Sequence, residues 1–164
     1  MIQRTLVLIK PDGVKRSLTG EIISRFEKIG LKIIGMKMQY IDKEFAQKHY
    51  TEDISKRRGE KVRNNLLYYI ASGPVIAICL EGVDVIEIIR KIVGDTEPKS
   101  AIPGTIRGDY SHVSYGYADD KNLPVKNLIH ASANKEDAKN ELKLWFGKKE
   151  IHDYKVDHEE HTLN

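Results

Sequence analysis

An unbroken apolar run, Val75-Ile76-Ala77-Ile78-Cys79-Leu80, is the strongest structural signal in the chain. It is rich in β-branched side chains, which favours a buried strand over residues 74–80. A second apolar run at residues 5–9 is ended by Pro11 and predicts another buried strand. The rest of the fold must therefore be arranged so that both strands are covered.

The segments around these strands carry the periodicity and the end signals of helices and weaker strands. In chain order they predict a helix capped by Thr19 and stopped by Gly30, a half-buried strand over 31–41, a short helix over 42–50 capped by Asp42, a charged connection over 56–61, a helix stopped by Gly73, a helix over 84–93, a short strand at 128–129, a last helix capped by Asn134, and a polar, surface-bound or frayed tail over 148–164. Regular patterning fades between residues 94 and 127, and an irregular stretch of this length is usually functional.

This order of strands and helices fits a ferredoxin-like, split βαβ arrangement. We therefore expect an α/β (α+β) fold in which a βαββαβ antiparallel sheet has helices packed on one face. Extra helices and a long active-site loop would be added to that core. Because no internal repeat or linker divides the 164 residues, we expect a single domain over residues 1–164.

Charge and hydropathy exclude several classes of protein. The formal net charge is +3, which is too weak a bias to favour a nucleic-acid partner. The apolar stretch at residues 5–9 is shorter than the core of a signal peptide, and no segment approaches the roughly 20 apolar residues of a membrane span. The lone Cys79 forbids an intrachain disulfide. We therefore expect a cytoplasmic protein with no membrane partner and no nucleic-acid partner.

Two segments carry cations suited to phosphate. Lys10 leaves the end of the first predicted strand, and Arg107 lies in a Gly- and Pro-containing stretch with Thr96 and Arg90 shortly before it. Guanidinium groups fork onto phosphate oxygens with a geometry that lysine does not match. Each segment also permits a structural interpretation, with Lys10 as a strand-end residue whose stem is buried and the arginines as surface residues. From these segments alone, both interpretations stand.

His130 is the histidine with the most suggestive surroundings, at a predicted strand end just before the last helix. Neutral imidazole is a competent nucleophile near neutral pH, although a lone histidine of this kind is more often a structural residue. No P-loop or dinucleotide fingerprint occurs elsewhere in the chain. The histidines of His158-Glu159-Glu160-His161 are three apart rather than the four of a zincin helix, so we interpret that string as a solvated tail.

Taken together, these segments resemble the nucleoside diphosphate kinase family, from about Gln3 to Tyr154. The resemblance rests on five anchors in order: Lys10-Pro11-Asp12-Gly13-Val14, His49-Tyr50, Ser72-Gly73-Pro74-Val75, Pro103-Gly104-Thr105-Ile106-Arg107-Gly108-Asp109 and Asn127-x-x-His130-x-Ser132. It implies an enzyme that transfers the γ-phosphoryl group of a nucleoside triphosphate such as ATP to a nucleoside diphosphate, with little regard for the base. It also implies the ferredoxin-like fold and an assembly of several copies, for which we expect a hexamer.

The resemblance also implies roles for individual residues. His130 matches the nucleophile that carries the phosphoryl group in a ping-pong mechanism, and Glu141 matches the acid that orients its ring. Phosphates and ribose would be held, and the pocket lined, by Lys10, Tyr50, Arg90, Thr96, Arg107, Asn127 and Ser132. Lys10 would also take part in catalysis by stabilising charge.

The chain departs from the family pattern at several positions. Where the family usually has an aromatic side chain that stacks on the base, counting back from Ser72 reaches Val62. The segment between Tyr50 and Ser72 is a few residues longer than usual, and about ten extra residues lie between Asp109 and Asn127. These differences concern the base contact and the loops rather than the residues matched to phosphate transfer.

The expected cofactor is Mg²⁺, held mainly by the phosphates of the nucleotide. Mg²⁺ keeps several waters and usually takes only one or two protein carboxylates. The matched site has no carboxylate cluster, and Ala133 replaces a common acidic residue. We therefore assign no metal ligand on the protein itself.

Two other classes of function agree less well with the sequence than the enzyme does. A non-catalytic nucleotide sensor would keep the phosphate-binding residues but lose the nucleophile or its acid, whereas His130 and Glu141 are both present. A ferredoxin-like RNA-binding module would carry aromatic residues in an RNP-like pattern, and no K/R-G-F/Y string occurs. The sequence therefore favours the phosphotransferase.

Overall fold

The computed structural model describes residues 1–163, whose centre is a four-stranded antiparallel sheet in the order β2-β3-β1-β4. The strands are β1 (Ile2–Ile9), β2 (Lys32–Gln39), β3 (Val75–Val83) and β4 (Ile129–Ala131). The two strands with unbroken apolar runs, β1 and β3, occupy the centre and pair along their whole length. The element order and the antiparallel pairing confirm the predicted ferredoxin-like fold.

The described chain also contains ten α-helices. They are α1 (Pro11–Lys15), α2 (Thr19–Glu27), α3 (Lys43–His49), α4 (Glu52–Arg58), α5 (Glu60–Ile70), α6 (Val85–Val93), α7 (Ile106–Tyr110), α8 (Tyr115–Asp120), α9 (Lys135–Trp145) and α10 (Glu159–Thr162). Asp42 caps α3 and Asn134 caps α9, as predicted, each by accepting a backbone N–H three residues ahead.

Side chains of the central strands alternate between two separate cores. Val7 and Ile9 point to one core, which they share with Ile22, Phe26 and Ile89 of α2 and α6. Leu6 and Leu8 point to the other core, whose helical residues include Ala46, Leu67 and Trp145 of α3, α5 and α9. The expectation of helices on one face was therefore wrong. Coverage of both faces explains why the apolar runs are continuous rather than alternating.

Three other local expectations were also wrong. Thr19 is the first residue of α2 and does not cap it, because the N-cap is Leu18. Residues 56–58 belong to the last turn of α4 rather than to a connection. α4 buries none of its residues, so no apolar periodicity marks it, and three basic side chains favour a helix C-terminus. Residues 94–127 contain α7 and α8, which are too short to show periodicity.

The C-terminal segment crosses the outer edge of β2. The backbone N–H of His152 donates to the carbonyl of Ile34 at 2.7 Å, and the Tyr154 hydroxyl donates to the carbonyl of Ile33 at 2.5 Å. The tail is thus bound to the surface over these residues, while Asn164 lies outside the described residues. Between residues 1 and 163, no helix has the length and hydropathy needed to cross a membrane.

Pairing of β1 with β4 sets the frame for the site. Leu8 lies opposite His130 in this antiparallel pair, and Lys10 follows the end of β1 directly. The backbone N–H of Lys10 donates to the carbonyl of Leu128 at 2.8 Å. Two side chains that are 120 positions apart in the numbering, Lys10 and His130, are therefore carried to one end of the sheet.

Candidate active site

A cavity of about 610 Å³ lies against the ends of β1 and β4. It is lined by eight of the residues predicted for the site: Lys10, Tyr50, Arg90, Thr96, Arg107, Asn127, His130 and Glu141. Two predicted residues do not line it. Ser132 is fully buried behind Glu141, and Val62 lies on α5.

The His130 ring is held by Glu141 from α9. His130 Nε2 lies 2.9 Å from Glu141 Oε1, and Ser132 Oγ donates to Glu141 Oε2 at 2.5 Å. Burial by itself favours the neutral acid, but the His130 ring and the two hydrogen bonds hold the pKa of Glu141 below its ordinary value. An ionised carboxylate only accepts, so Nε2 is the donor, and in the neutral ring Nδ1 then keeps the lone pair.

His49 packs edge-on against His130 and was given no role from the sequence. The two ring centroids are 4.7 Å apart with an interplanar angle of 83°. The indole N–H of Trp145 donates to His49 Nδ1 at 3.2 Å. Burial, reinforced by His130, lowers the pKa of His49 to about 3, so this ring stays uncharged. It forms a rigid wall beside the His130 ring, and its place in the His49-Tyr50 anchor was the available signal.

Lys10 places a buried amine at the same end of the cavity. Its Nζ donates to Asn127 Oδ1 at 2.8 Å and lies 5.3 Å from the centroid of the Tyr69 ring. Burial, and then the charge of Arg107, lower the pKa of Lys10 to about 7. Lys10 forms no ion pair with any of residues 1–163, so an anionic phosphate would supply a counter-charge in direct contact with the amine.

Arg107 ties together the segments that meet at the cavity. Its guanidinium donates to four backbone carbonyls, those of Gly94 (3.0 Å), Asp95 (3.2 Å), Asn127 (3.1 Å) and Ile129 (2.6 Å). The Asn127 amide adds a bond to the carbonyl of Thr96 at 2.9 Å. Burial lowers the pKa of Arg107 to about 10, which still leaves the guanidinium charged at neutral pH. Arg107 therefore contributes both positive charge and the relative placement of its neighbours.

The remaining predicted residues complete the wall of the cavity. Arg90, in the last turn of α6, and Thr96 are exposed and line it. Tyr50 is buried, and burial raises the pKa of its hydroxyl above the ordinary value. That hydroxyl finds no hydrogen-bond partner within the described chain. A buried donor without a partner at a cavity wall is suited to a ligand oxygen.

The turn before His130 is held by Asp12, a residue of the first anchor to which the sequence assigned no role. Leu128 has a φ of +70°, a left-handed conformation that is uncommon for residues other than glycine. The Asp12 carboxylate accepts the Leu128 N–H at 3.1 Å and also accepts the buried hydroxyl of Tyr69. Asp12 therefore anchors the turn that separates Asn127 from His130.

Val62 does not reach the cavity, contrary to its prediction as the base contact. Leu66, one turn later on α5, lines the cavity instead, together with residues from α4. Counting along the chain failed because the segment after Tyr50 folds into a helical hairpin, whose rotation decides which side chains face inward. The lining residues that sequence analysis missed include Thr51, Asp53, Ile54, Arg57, Arg58, Leu66, Asp137, Asn140 and Leu144. Because α4 has no apolar periodicity, the local pattern does not mark its residues as part of the site.

Three ligand atoms from His49, His130 and Glu141 lie within 4.8 Å of one another. The lone pair of His49 already accepts the Trp145 N–H, and His130 and Glu141 are bonded to each other. The chemistry of this set therefore fits a hydrogen-bonded network better than a metal centre. The cavity is also lined by Lys10, Arg90 and Arg107, which suit anions.

Comparison with known proteins gives one consistent family. The Nucleoside diphosphate kinase family model matches residues 3–151. A nucleoside diphosphate kinase of Borreliella burgdorferi is 49% identical over 160 residues, covering 97% of this chain and 96% of the relative. One of Pyrococcus furiosus is 50% identical over 153 residues, covering 93% and 88%.

Solved structures agree with these relatives. A transition state mimic of the nucleoside-diphosphate kinase from Borrelia burgdorferi, with bound vanadate and ADP, has a TM-score of 0.94 at 49% identity and covers 96% of this chain and 95% of that one. An NDP kinase from Pyrobaculum aerophilum has a TM-score of 0.86 at 35% identity, covering 93% and 100%. The present chain belongs to the nucleoside diphosphate kinase family.

Proposed function

We propose that this protein is a nucleoside diphosphate kinase that passes the γ-phosphoryl group of a nucleoside triphosphate, such as ATP, to a nucleoside diphosphate through a phosphohistidine at His130. The observation that carries the proposal is the hydrogen bond between His130 Nε2 and Glu141, which makes Nδ1 the free nitrogen of the neutral ring. Lys10, Arg90 and Arg107 line the same cavity and match the charge of a triphosphate.

The reaction divides into two half-reactions on one nitrogen. In the first, His130 Nδ1 bonds to the γ-phosphorus while the bond to the β-phosphate oxygen breaks, and the nucleoside diphosphate leaves with that electron pair. In the second, the terminal oxygen of another nucleoside diphosphate attacks the same phosphorus and restores the histidine. Because the two halves are chemically alike, one site serves both, and the kinetics are ping-pong.

Catalysis then rests on positioning and on charge. Phosphoryl transfer passes through a loose transition state, so the protein mainly aligns the reacting atoms and stabilises charge on the oxygens. Lys10 and Arg107 supply positive charge from fixed positions, since their other contacts hold them to Asn127. Glu141, itself held by Ser132, keeps the His130 ring turned and in one tautomer.

The same cavity fits Mg²⁺ that arrives with the nucleotide. Its lining carboxylates outside the histidine network are Asp53 and Asp137, and Asp53 is paired with Arg57. Few free carboxylates among several cations favour an ion held chiefly by phosphates. Mg²⁺ would neutralise phosphate charge, with Asp53 and Asp137 as the protein groups of suitable chemistry.

The test is phosphorylation by γ-labelled ATP with Mg²⁺. Label should appear on the protein, survive base and be lost in acid, as a phosphoramidate should. His130→Ala should lose both label and phosphoryl exchange while it still binds ADP, and His152→Ala, at an exposed histidine, serves as the matched control. Label that survives acid, or that still appears on His130→Ala, would move the chemistry to a hydroxyl.

We also propose that the chain acts as one domain in the cytoplasm and assembles as a hexamer of identical copies. Two exposed surfaces support self-association. The edge strand β2 exposes Met36, Met38 and, just beyond it, Tyr40, while the loop at 101–104 exposes Ile102. An open edge pairs with a second copy about a two-fold axis, and a second kind of contact then allows a closed, higher assembly.

A further inference from the structure

The outer wall of the cavity, built by α4, is lined by guanidinium groups rather than aromatic rings. The ring-bearing residues that line the cavity are His49, Tyr50 and His130, and these three rings lie against one another at the nucleophile. Along α4 the planar groups facing the cavity are those of Arg57 and Arg58. The base of a nucleotide would therefore find no aromatic platform on this wall.

The two arginines differ in what holds them. Arg57 Nε donates to Asp53 at 2.5 Å, one turn earlier on the same helix. Arg58 has no hydrogen bond or ion pair to residues 1–163, but its guanidinium carbon lies 5.2 Å from the centroid of the Tyr115 ring. Arg58 lines the cavity and Tyr115 does not. Tyr115 thus contacts the guanidinium from outside the cavity, while Arg58 itself lines it.

Tyr115 is itself fixed to a second wall of the cavity. It is the first residue of α8, and its N–H donates to Glu97 Oε1 at 2.8 Å. Glu97 also accepts the Ser100 hydroxyl at 2.9 Å. These bonds tie the start of α8 to the segment that carries Thr96. The Arg58–Tyr115 contact therefore links α4, through the start of α8, to the segment that carries Thr96.

We propose that Arg58 is the platform on which the base of the bound nucleotide stacks, with Tyr115 orienting its guanidinium from behind. The proposal rests on the proposed function in that the ligand is a nucleotide. A guanidinium is planar and weakly hydrated, and it stacks on aromatic faces. Every base has a π-face, so such a contact tolerates any base. The residues between Asp109 and Asn127 thereby gain a role, since α8 among them holds the platform.

The experiment compares the Kd of ADP with that of ribose 5-diphosphate, which lacks the base, in the presence of Mg²⁺. Arg58→Ala and Arg58→Lys should each raise the Kd of ADP about three- to tenfold, as expected for a partly exposed cation–π contact, and leave that of ribose 5-diphosphate unchanged. Tyr115→Leu should weaken ADP binding less, and the Arg58→Ala/Tyr115→Leu double variant should bind ADP no more weakly than Arg58→Ala alone. Lys56→Ala on α4 and Tyr117→Leu on α8 are matched controls, because both side chains are exposed and do not line the cavity.

Three results would overturn the proposal: rescue of ADP affinity by Arg58→Lys, equal weakening of both ligands in Arg58→Ala, or an unchanged Kd for ADP. The first two would mean that Arg58 acts on the ligand through its positive charge and not by stacking on the base. The proposed function is tested separately by phosphoryl exchange in the wild-type protein. If the wild-type protein exchanges phosphoryl groups but the Arg58 variants show no selective loss of ADP affinity, only the proposal about Arg58 is contradicted. If the Arg58 variants lose ADP affinity selectively but the wild-type protein shows no exchange, only the proposed kinase activity is contradicted.

Discussion

His130 owes its chemical character to two neighbours that have different effects. Glu141 accepts from Nε2 and so favours the neutral tautomer with the proton on that nitrogen, and the His49 ring packs against the His130 ring without adding charge. Ser132 acts one step further away, through the second carboxylate oxygen. Glu141 and Ser132 can therefore be substituted while the nucleophile His130 stays in place, so that the effect of each on the rate of phosphoryl transfer can be measured.

Removal of the orienting acid should slow phosphoryl transfer without stopping it. For Glu141→Ala we expect kcat to fall on the order of 10²-fold, because the ring loses its alignment while the nucleophile remains. The Kd of ADP should stay close to the wild-type value. Ser132→Ala, which leaves the carboxylate in place, should give a smaller fall. Single-turnover transfer from ATP measures both, and a Glu141→Ala variant as inactive as His130→Ala would contradict this division of roles.

The buried amine of Lys10 should make stability depend on pH. Burial lowers the pKa of Lys10 to about 7 in the folded protein, whereas the unfolded chain keeps the ordinary value of 10.5. Between these values the unfolded chain binds a proton that the folded protein does not, so this group makes stability rise with pH across that window. Below pH 7 the folded protein carries the full cost of the buried ammonium.

The expected outcome concerns Lys10→Met in the nucleotide-free protein. The free energy of unfolding of wild type minus that of the variant should increase by a few kcal/mol from pH 6 to pH 9, because the slope approaches about 1.4 kcal/mol for every pH unit once the folded protein has lost the proton. Urea unfolding at both pH values measures it. Lys28→Met, at an exposed lysine, should show no such pH dependence. A difference that stays constant with pH would mean that Lys10 is solvated in the folded state.

At the scale of elements, the turn between α8 and β4 depends on α1. Asp12 of α1 accepts the N–H of Leu128, which is held at a φ of +70°, and the hydroxyl of Tyr69 from α5. The Asp12 carboxylate therefore links α1 to α5 and to the turn at Leu128, which lies between Asn127 and β4. A left-handed conformation at a leucine persists only where its surroundings hold it.

Asp12→Ala should therefore lower both stability and activity. It leaves a buried hydroxyl and a backbone N–H without partners, at a cost of about 1–3 kcal/mol for each group. It also frees the turn that places His130, so kcat should fall as well. Tyr69→Phe removes only one of the two bonds and should cost less in both measurements. Denaturant unfolding and steady-state exchange provide the readouts, and an Asp12→Ala variant with normal kcat would show that the turn holds itself.

At the scale of the whole molecule, the open edge of β2 is the most exposed apolar surface on the sheet. The C-terminal segment bonds to Ile33 and Ile34, while Met36 and Met38 further along are more than half exposed. Natural proteins usually cover or charge such an edge. A second copy of the chain is the cover that the proposed hexamer provides.

Met38→Glu should weaken the assembly, because it buries a carboxylate where two copies would meet. Light scattering in dilute solution should report a lower mass for this variant than for wild type. Tyr68→Glu, at an exposed aromatic residue of α5, tests whether any new surface charge has the same effect. An unchanged mass for Met38→Glu, or a wild-type protein of monomer mass, would contradict the assembly.

The sequence alone was sufficient for the two central strands, for five of the ten described helices (α2, α3, α5, α6 and α9) and for eight of the residues that line the cavity. These features depend on neighbours along the chain: continuous apolar runs, caps such as Asp42 and Asn134, and short motifs around Lys10 and His130. Neighbours along the chain do not predict whether Val62 faces the cavity, that His49 packs against His130, or that Arg58 contacts Tyr115. These roles depend on how a helical hairpin is rotated and on which side chains meet across elements far apart in sequence. Tertiary packing decides both, because a helix or strand has the same local pattern whichever way it faces its neighbours.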